Sequence, residues 1–212
     1  MSLTYDPAHA TAHLSDVDPL MGELIAQAGP FTLTPPPTQS PFHALLRAIV
    51  YQQLSGKAAA TILGRVLDLM PKGRGRPKPS DLDALDDASL RAAGLSRNKL
   101  LALRDLAQKT DDGTVPTLAA LKKMDDAEVL ARLTAVRGIG AWTVEMLLMF
   151  RLGRPDVLPA TDLGVQKGFQ LTYGTEALPK PKELMAAAEP WRPYRSVASW
   201  YLWRAVDLSK AP

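Results

Sequence analysis

Apolar residues in this chain recur at intervals of three and four along most of its length, and the alternation expected of a half-buried strand is hard to find. In DPLMGELIAQAG, Asp18 is placed to cap a helix, Pro19 suits its first turn and Gly29 its end. After the proline-rich stretch TPPPTQSP, Phe42, Leu45, Leu46, Ile49 and Val50 form one helical stripe. Ile62, Leu63, Val66, Leu67 and Met70 form a second, with Ser55 as its cap, and the two helices meet at YQQLSG. The segment PKGRGRPKP, residues 71–79, is a basic loop that proline and glycine keep from being helical for long. Ser80 opens a run of short helical pieces, Ser96 caps RNKLLALRDLAQK, and beyond the turn TDDGTVP the residues Val129, Leu130, Leu133 and Val136 share one face. The predicted fold is therefore all-α, with a partly flexible N-terminus over residues 1–17 and a helical core over 18–212.

Composition narrows the chemistry. At 212 residues the chain is long enough for one domain or two small lobes. It has no cysteine, which excludes disulfides, thiolate zinc sites and iron-sulfur clusters. The only histidines are His9, His13 and His43, so chemistry must lean on carboxylates, amines or the backbone. Apolar residues make up 46% of the chain, but no run reaches the roughly eighteen residues of a membrane span, and the N-terminus lacks a basic-then-apolar signal pattern. A soluble, cytoplasmic protein is expected. The net charge of +3 permits a nucleic-acid partner without demanding one.

The stretch RGIGAWT, residues 137–143, interrupts two apolar helical segments. Gly138 and Gly140 allow a tight reversal that leaves N–H groups pointing outward, and the helix starting near Trp142 adds its unpaired amides and the positive end of its dipole. Such a surface suits a phosphate. Ile139 reads as an apolar peg between the two helices, and Gly138, Ile139, Gly140 and Thr143 are the candidate backbone-gripping residues. A ligand-free turn in a helical bundle fits the same pattern. Further on, GRPDVLPATD ends at Asp162, where LGVQKGFQLTY begins another helix. Asp162 reads as a helix cap, and equally as a fixed anion able to stabilise a developing positive charge.

Taken together, LTAVRGIGAWT, the Gly/Pro loop with Asp162, AIVYQQLSGKAA, GLSRNKLLALRDLA and PWRPYRSVASWYLW resemble the helix-hairpin-helix (HhH-GPD) DNA glycosylase superfamily, and within it the 3-methyladenine DNA glycosylase II (AlkA-type) branch. The resemblance runs from about Pro19 to Asp207. It implies a compact two-lobed helical core with the active-site cleft between the lobes, without the extra N-terminal mixed α/β domain of longer members.

The resemblance also assigns roles. Asp162 is the implied catalytic carboxylate for release of alkylated bases such as 3-methyladenine and 7-methylguanine from double-stranded DNA. Trp142 stands where strand-nicking relatives place a Schiff-base lysine, which implies a glycosylase without lyase activity. Trp142, Trp203 and Tyr194 are the implied pocket aromatics, suited to a cationic base. The other aromatics of the final segment read as core. Met146 replaces an aromatic and Gly164 a larger apolar residue of longer relatives, which bears on pocket width. Gln53, with Leu54 next, matches the wedge that fills the gap left by a flipped base. Lys72 to Lys78, Arg97 and Lys99 could meet phosphate or only water. No cofactor is expected beyond a monovalent cation bridging the carbonyls of Thr134, Val136 and Ile139 to phosphate. The protein is expected to act as a monomer. The alternative is a helix-hairpin-helix module that binds DNA without catalysis, for which no opposing carboxylate is needed.

Overall fold

Capping signals written in the sequence start most of the helices. The computed structural model describes residues 3–36, 40–71 and 77–210, and among them the chain is helical without strands. The chain divides into two compact units, Met1–Thr38 with Glu145–Pro212, and Gln39–Val144. No helix among the described residues is long and apolar enough to cross a membrane.

The first unit is built from α1 (Pro7–Val17), α2 (Pro19–Ala28), α11 (Leu163–Tyr173), α12 (Pro181–Ala187), a 3₁₀ turn (Glu189–Trp191) and α13 (Arg195–Leu208). Within residues 1–17, expected from sequence as a partly flexible N-terminus, Pro7–Val17 form a helix that sequence did not predict. Asp6 caps α1 through the Ala8 N–H, Pro7 fits the first turn, and Ala10 and Leu14 are fully buried, so the segment is held by the core. Asp18 caps α2 as expected and does more. Its Oδ1 accepts from the Met21 N–H at 3.1 Å, while its Oδ2 accepts from Tyr173 Oη at 2.5 Å and Trp191 Nε1 at 2.8 Å. One carboxylate thus ties α2 to the end of α11 and to the 3₁₀ turn. Trp191 and Tyr201 are buried in this core with Val165, Phe169, Val197 and Leu202, as expected for most of the terminal aromatics. Helices α11 and α13 pass close together at Gly168, where a β-carbon would lie 2.0 Å from the Leu202 carbonyl oxygen.

The second unit contains α3 (Pro41–Tyr51), α4 (Gly56–Asp68), α5 (Pro79–Asp83), α6 (Asp87–Ala92), α7 (Arg97–Asp111), α8 (Leu118–Leu121) and α9 (Asp126–Thr134). The helix α10 (Ala141–Phe150) begins in this unit. Both predicted stripes are buried at Phe42, Leu45, Leu46, Ile49 and Val50 and at Leu63, Val66 and Met70. Ser55 and Ser96 cap α4 and α7 as read from sequence. Ser80 does not open α5; that helix starts at Pro79, and Asp81 reaches back to the Lys78 N–H at 2.9 Å. Helix α7 packs against α3, α5 and α6, with Leu100, Leu103, Leu106 and Ala107 buried. Its Arg104 also closes the far end of α5, donating to the carbonyls of Leu82 and Leu85 and pairing with Asp87 at 2.8 Å. Of the basic loop, residues 72–76 lie outside the described residues.

Candidate active site and hairpin

The hairpin lies between α9 and α10. Val136 and Ile139 are buried, whereas Arg137, Gly138, Gly140 and Ala141 are exposed, so Ile139 is the apolar peg and its backbone, not its side chain, is what the turn can offer to a ligand. The Ile139 N–H closes the turn on the Val136 carbonyl at 3.0 Å. Gly138 sits at φ 78°, in the left-handed region that a side chain disfavours. The N–H of Thr143 is donated to the Gly140 carbonyl at 3.0 Å, so any amide surface for a phosphate lies nearer the turn than Thr143. Two side chains of α7 brace this turn. Asp105 accepts the Arg137 N–H at 2.6 Å, and Lys109, paired with Asp105 at 2.8 Å, donates to the Ala135 carbonyl at 2.6 Å. Burial works against ionisation of Asp105, but the Arg137 N–H and the Lys109 ammonium outweigh it and hold the carboxyl below its ordinary range. Trp142, in the first turn of α10, is 48% exposed.

The junction YQQLSG belongs to the same unit. Gln53 and Leu54 both present exposed side chains, and Gln53 has φ 57°, the one positive φ among described residues other than glycine. The preceding Gln52 donates from Nε2 to the Gly138 carbonyl at 2.8 Å. Lys99, which sequence left between phosphate and water, donates instead to the carbonyls of Val50 and Gln52 at 2.8 and 2.7 Å. Burial pushes its ammonium below the usual lysine range.

In the other unit, Asp162 caps α11. Its Oδ1 accepts from the Val165 N–H at 2.9 Å, which is the cap read from sequence, and from Trp203 Nε1 at 2.9 Å. Trp203, on α13, lies against Phe150 with ring centroids 5.7 Å apart. Gly164 explains how the indole reaches the carboxylate: a β-carbon there would lie 2.8 Å from Trp203 Cδ1 and 3.0 Å from Asp162 Oδ1. Its lack of a side chain makes room for Trp203 against the aspartate. Tyr194, the other aromatic that the resemblance implied for the pocket in this unit, meets α1. Its hydroxyl is 3.0 Å from His9 Nδ1 and its ring packs edge-on against His9 and His13, so the structure joins it to α1.

Several contributors gave little sign in the sequence. The loop leading to Asp162 is fastened to the start of α13 by Arg195, which makes a two-pronged pair with Asp156 at 2.6 and 3.0 Å. Buried Ser196 adds bonds to the carbonyl of Arg154 at 2.7 Å and from the N–H of Val157 at 2.9 Å. Glu145, on α10, is half-buried, and its Oε2 has no hydrogen-bond partner among the described residues. Burial first, and then the charge of Asp162, raise its carboxyl above the ordinary range. Among the described residues no cluster of acids and histidines could hold a metal.

Residues 46–193 match the HhH-GPD superfamily base excision DNA repair protein family, and the chain belongs to that family. It is 34% identical over 205 residues to DNA-3-methyladenine glycosylase 1 of Schizosaccharomyces pombe, spanning 94% of this chain and 88% of that protein. The S. pombe 3-methyladenine DNA glycosylase in complex with abasic DNA superposes with a TM-score of 0.83 over 96% of this chain and 99% of that one, at 33% identity. A DNA-3-methyladenine glycosidase from Bacillus halodurans superposes at 0.86 over 98% and 93%, at 36% identity. The resemblance read from the motifs and the all-α fold are both borne out.

Proposed function

We propose that this protein is a monofunctional DNA glycosylase of base excision repair, releasing alkylated bases from duplex DNA. The observation that carries the reading is the Asp162 carboxylate, fixed at the head of α11 by the Val165 N–H and the Trp203 indole, in a chain that also has a phosphate-suited hairpin. The names of its relatives as 3-methyladenine glycosylases support the substrate class.

A purine alkylated at N3 or N7 is cationic and already a good leaving group, so the chain needs no histidine acid. As the C1′–N bond breaks, its electron pair goes to the base, which leaves neutral, and positive charge develops on the sugar. Asp162 stabilises that charge electrostatically; water then adds to C1′ and its proton passes to solvent. An anion held by two donors before the reaction needs no reorganisation during it. The base must first leave the stack at a cost of about a few kcal/mol, less for a damaged base. Gln53, with Leu54 beside it, takes the role of wedge. Trp142 and Trp203 provide aromatic faces, each worth roughly 0.5–2 kcal/mol to a cationic base. Tyr194, which meets His9 and His13 of α1 and lies near Tyr5, is assigned no part in this reading.

Tryptophan has no amine, so position 142 cannot form a Schiff base with the opened sugar, and the strand is left intact. A monovalent cation at the carbonyls of Thr134, Val136 and Ile139 would fit neutral oxygens, although Val136 already accepts one N–H; it would add positive charge beside a phosphate, and no step depends on it. The test is to incubate globally methylated duplex with the protein and identify the released bases by chromatography, with borohydride trapping in parallel. Free 3-methyladenine or 7-methylguanine without a trapped adduct is expected. DNA binding without base release would favour the non-catalytic module.

A further inference from the structure

One face of α7 reaches both of the elements that the proposed function places on DNA. Lys99, Ala102, Asp105 and Lys109 are spaced by three, three and four residues, which puts them on a single stripe of the helix. Lys99 takes the Val50 and Gln52 carbonyls at the end of α3, at 2.8 and 2.7 Å. The Ala102 β-carbon lies 3.6 Å from where a β-carbon of Gly138 would be. Asp105 and Lys109 take the Arg137 N–H and the Ala135 carbonyl, both at 2.6 Å. The side chain of Gln52 then joins the two elements directly, with Nε2 on the Gly138 carbonyl at 2.8 Å.

Two features show that Lys99 is not placed for the sake of α7 itself. It stands in the first turn of that helix, where a positive charge opposes the helix dipole. Its ammonium instead satisfies carbonyls left over at the end of α3, where a cation is favoured. Immediately beyond those carbonyls comes Gln53 with φ 57°, a conformation that costs a residue with a side chain and persists only where its surroundings impose it. Lys99 supplies that imposition from one side and Gln52 from the other.

We propose that α7 is a bracket holding the wedge in register with the hairpin, and that Lys99 is a positioning residue for Gln53 rather than a phosphate contact. The inference rests on the glycosylase reading for the roles of wedge and hairpin. A side chain that fills the gap of an extruded nucleotide is pushed back by the stack. It keeps the gap open only if braced against whatever grips the backbone, and here the brace and the grip share one helix.

The test uses Lys99→Met, which keeps the stem and removes the ammonium, with Lys99→Arg as the conservative variant and Gln52→Ala as a second route to the same coupling. Base opening is read from 2-aminopurine fluorescence beside a tetrahydrofuran abasic analogue in duplex DNA, and affinity for the undamaged duplex is measured at the same salt. With two charge-assisted bonds removed, Lys99→Met should lower the opening constant by roughly tenfold or more, while undamaged-duplex affinity stays within about twofold. Lys99→Arg should recover part of the loss, and Gln52→Ala should weaken opening in the same sense. An unchanged opening signal overturns the bracket. So does a loss of duplex affinity as large as the loss of opening, which marks Lys99 as a phosphate contact. If Lys99→Met fails to fold, Gln52→Ala decides by the same criteria. A wild type that gives no opening signal overturns the wedge and the bracket together. Opening requires no bond cleavage, so failure of the glycosylase reading shows separately, as an opening signal without base release.

Discussion

The indole Nε1 of Trp203 donates to Oδ1 of Asp162 at 2.9 Å, so the tryptophan expected as a pocket wall is also a fastener of the carboxylate. Trp203→Phe keeps an aromatic ring and removes only the donor. A hydrogen bond to a charged group contributes about 1.5–3 kcal/mol, so single-turnover base release should slow by roughly 10- to 100-fold. Affinity for abasic-analogue DNA should change far less. An unchanged rate would show that the Trp203 donor is not needed to fix Asp162.

Gly164→Ala separates stability from activity. An alanine within a helix is favoured over glycine by about 1 kcal/mol, yet the new β-carbon would sit 2.8 Å from Trp203 Cδ1. The indole must shift away from Asp162. The expected outcome is a melting temperature close to that of the wild type with markedly slower base release. A large loss of stability with full activity in the folded fraction would contradict it.

At the hairpin, Gly138→Ala tests the backbone rather than the space around it, because the nearest side-chain atom is 3.6 Å from the added carbon, an ordinary contact. Holding alanine at φ 78° costs about 1–2 kcal/mol. Duplex binding should weaken, and isotherms for undamaged DNA measured at one salt concentration would register the loss. Unaltered affinity would remove Gly138 from the DNA-gripping surface.

Glu145 makes stability depend on pH. Its folded carboxyl binds a proton more tightly than the unfolded chain does, because burial and then the Asp162 charge raise it. Stability is therefore lost as pH rises from the ordinary glutamate range through the raised value. Glu145→Gln, neutral throughout, should match the wild type on the acid side and exceed it near neutrality in urea midpoint. Parallel curves for the two proteins would refute the assignment.

How much of this was legible in the sequence depended on whether a feature was local. The stripes at Phe42–Val50 and Ile62–Met70, the caps Asp18, Ser55 and Ser96, and the peg Ile139 follow from spacing within a few residues, and the structure bears them out. Asp162 as a cap was equally readable. Its bond to Trp203 spans 41 residues and depends on the missing side chain at Gly164, which sequence could register only as a question of pocket width. The N-terminal helix was missed because Ala10 and Leu14 gain stability only from a core supplied by α2 and α13. Lys99 was ambiguous because a lysine at a helix start shows nothing of carbonyls 47 and 49 residues away.

The charge of Asp162 is central to the proposed chemistry, and the measurement that isolates it is base release by Asp162→Asn from methylated duplex under single-turnover conditions. Asparagine can still accept from Trp203 and Val165, so those two hydrogen bonds persist while the anion is lost. We predict that liberation of methylated purines is abolished while abasic-site DNA is still bound. Release at the wild-type rate would contradict the proposed mechanism.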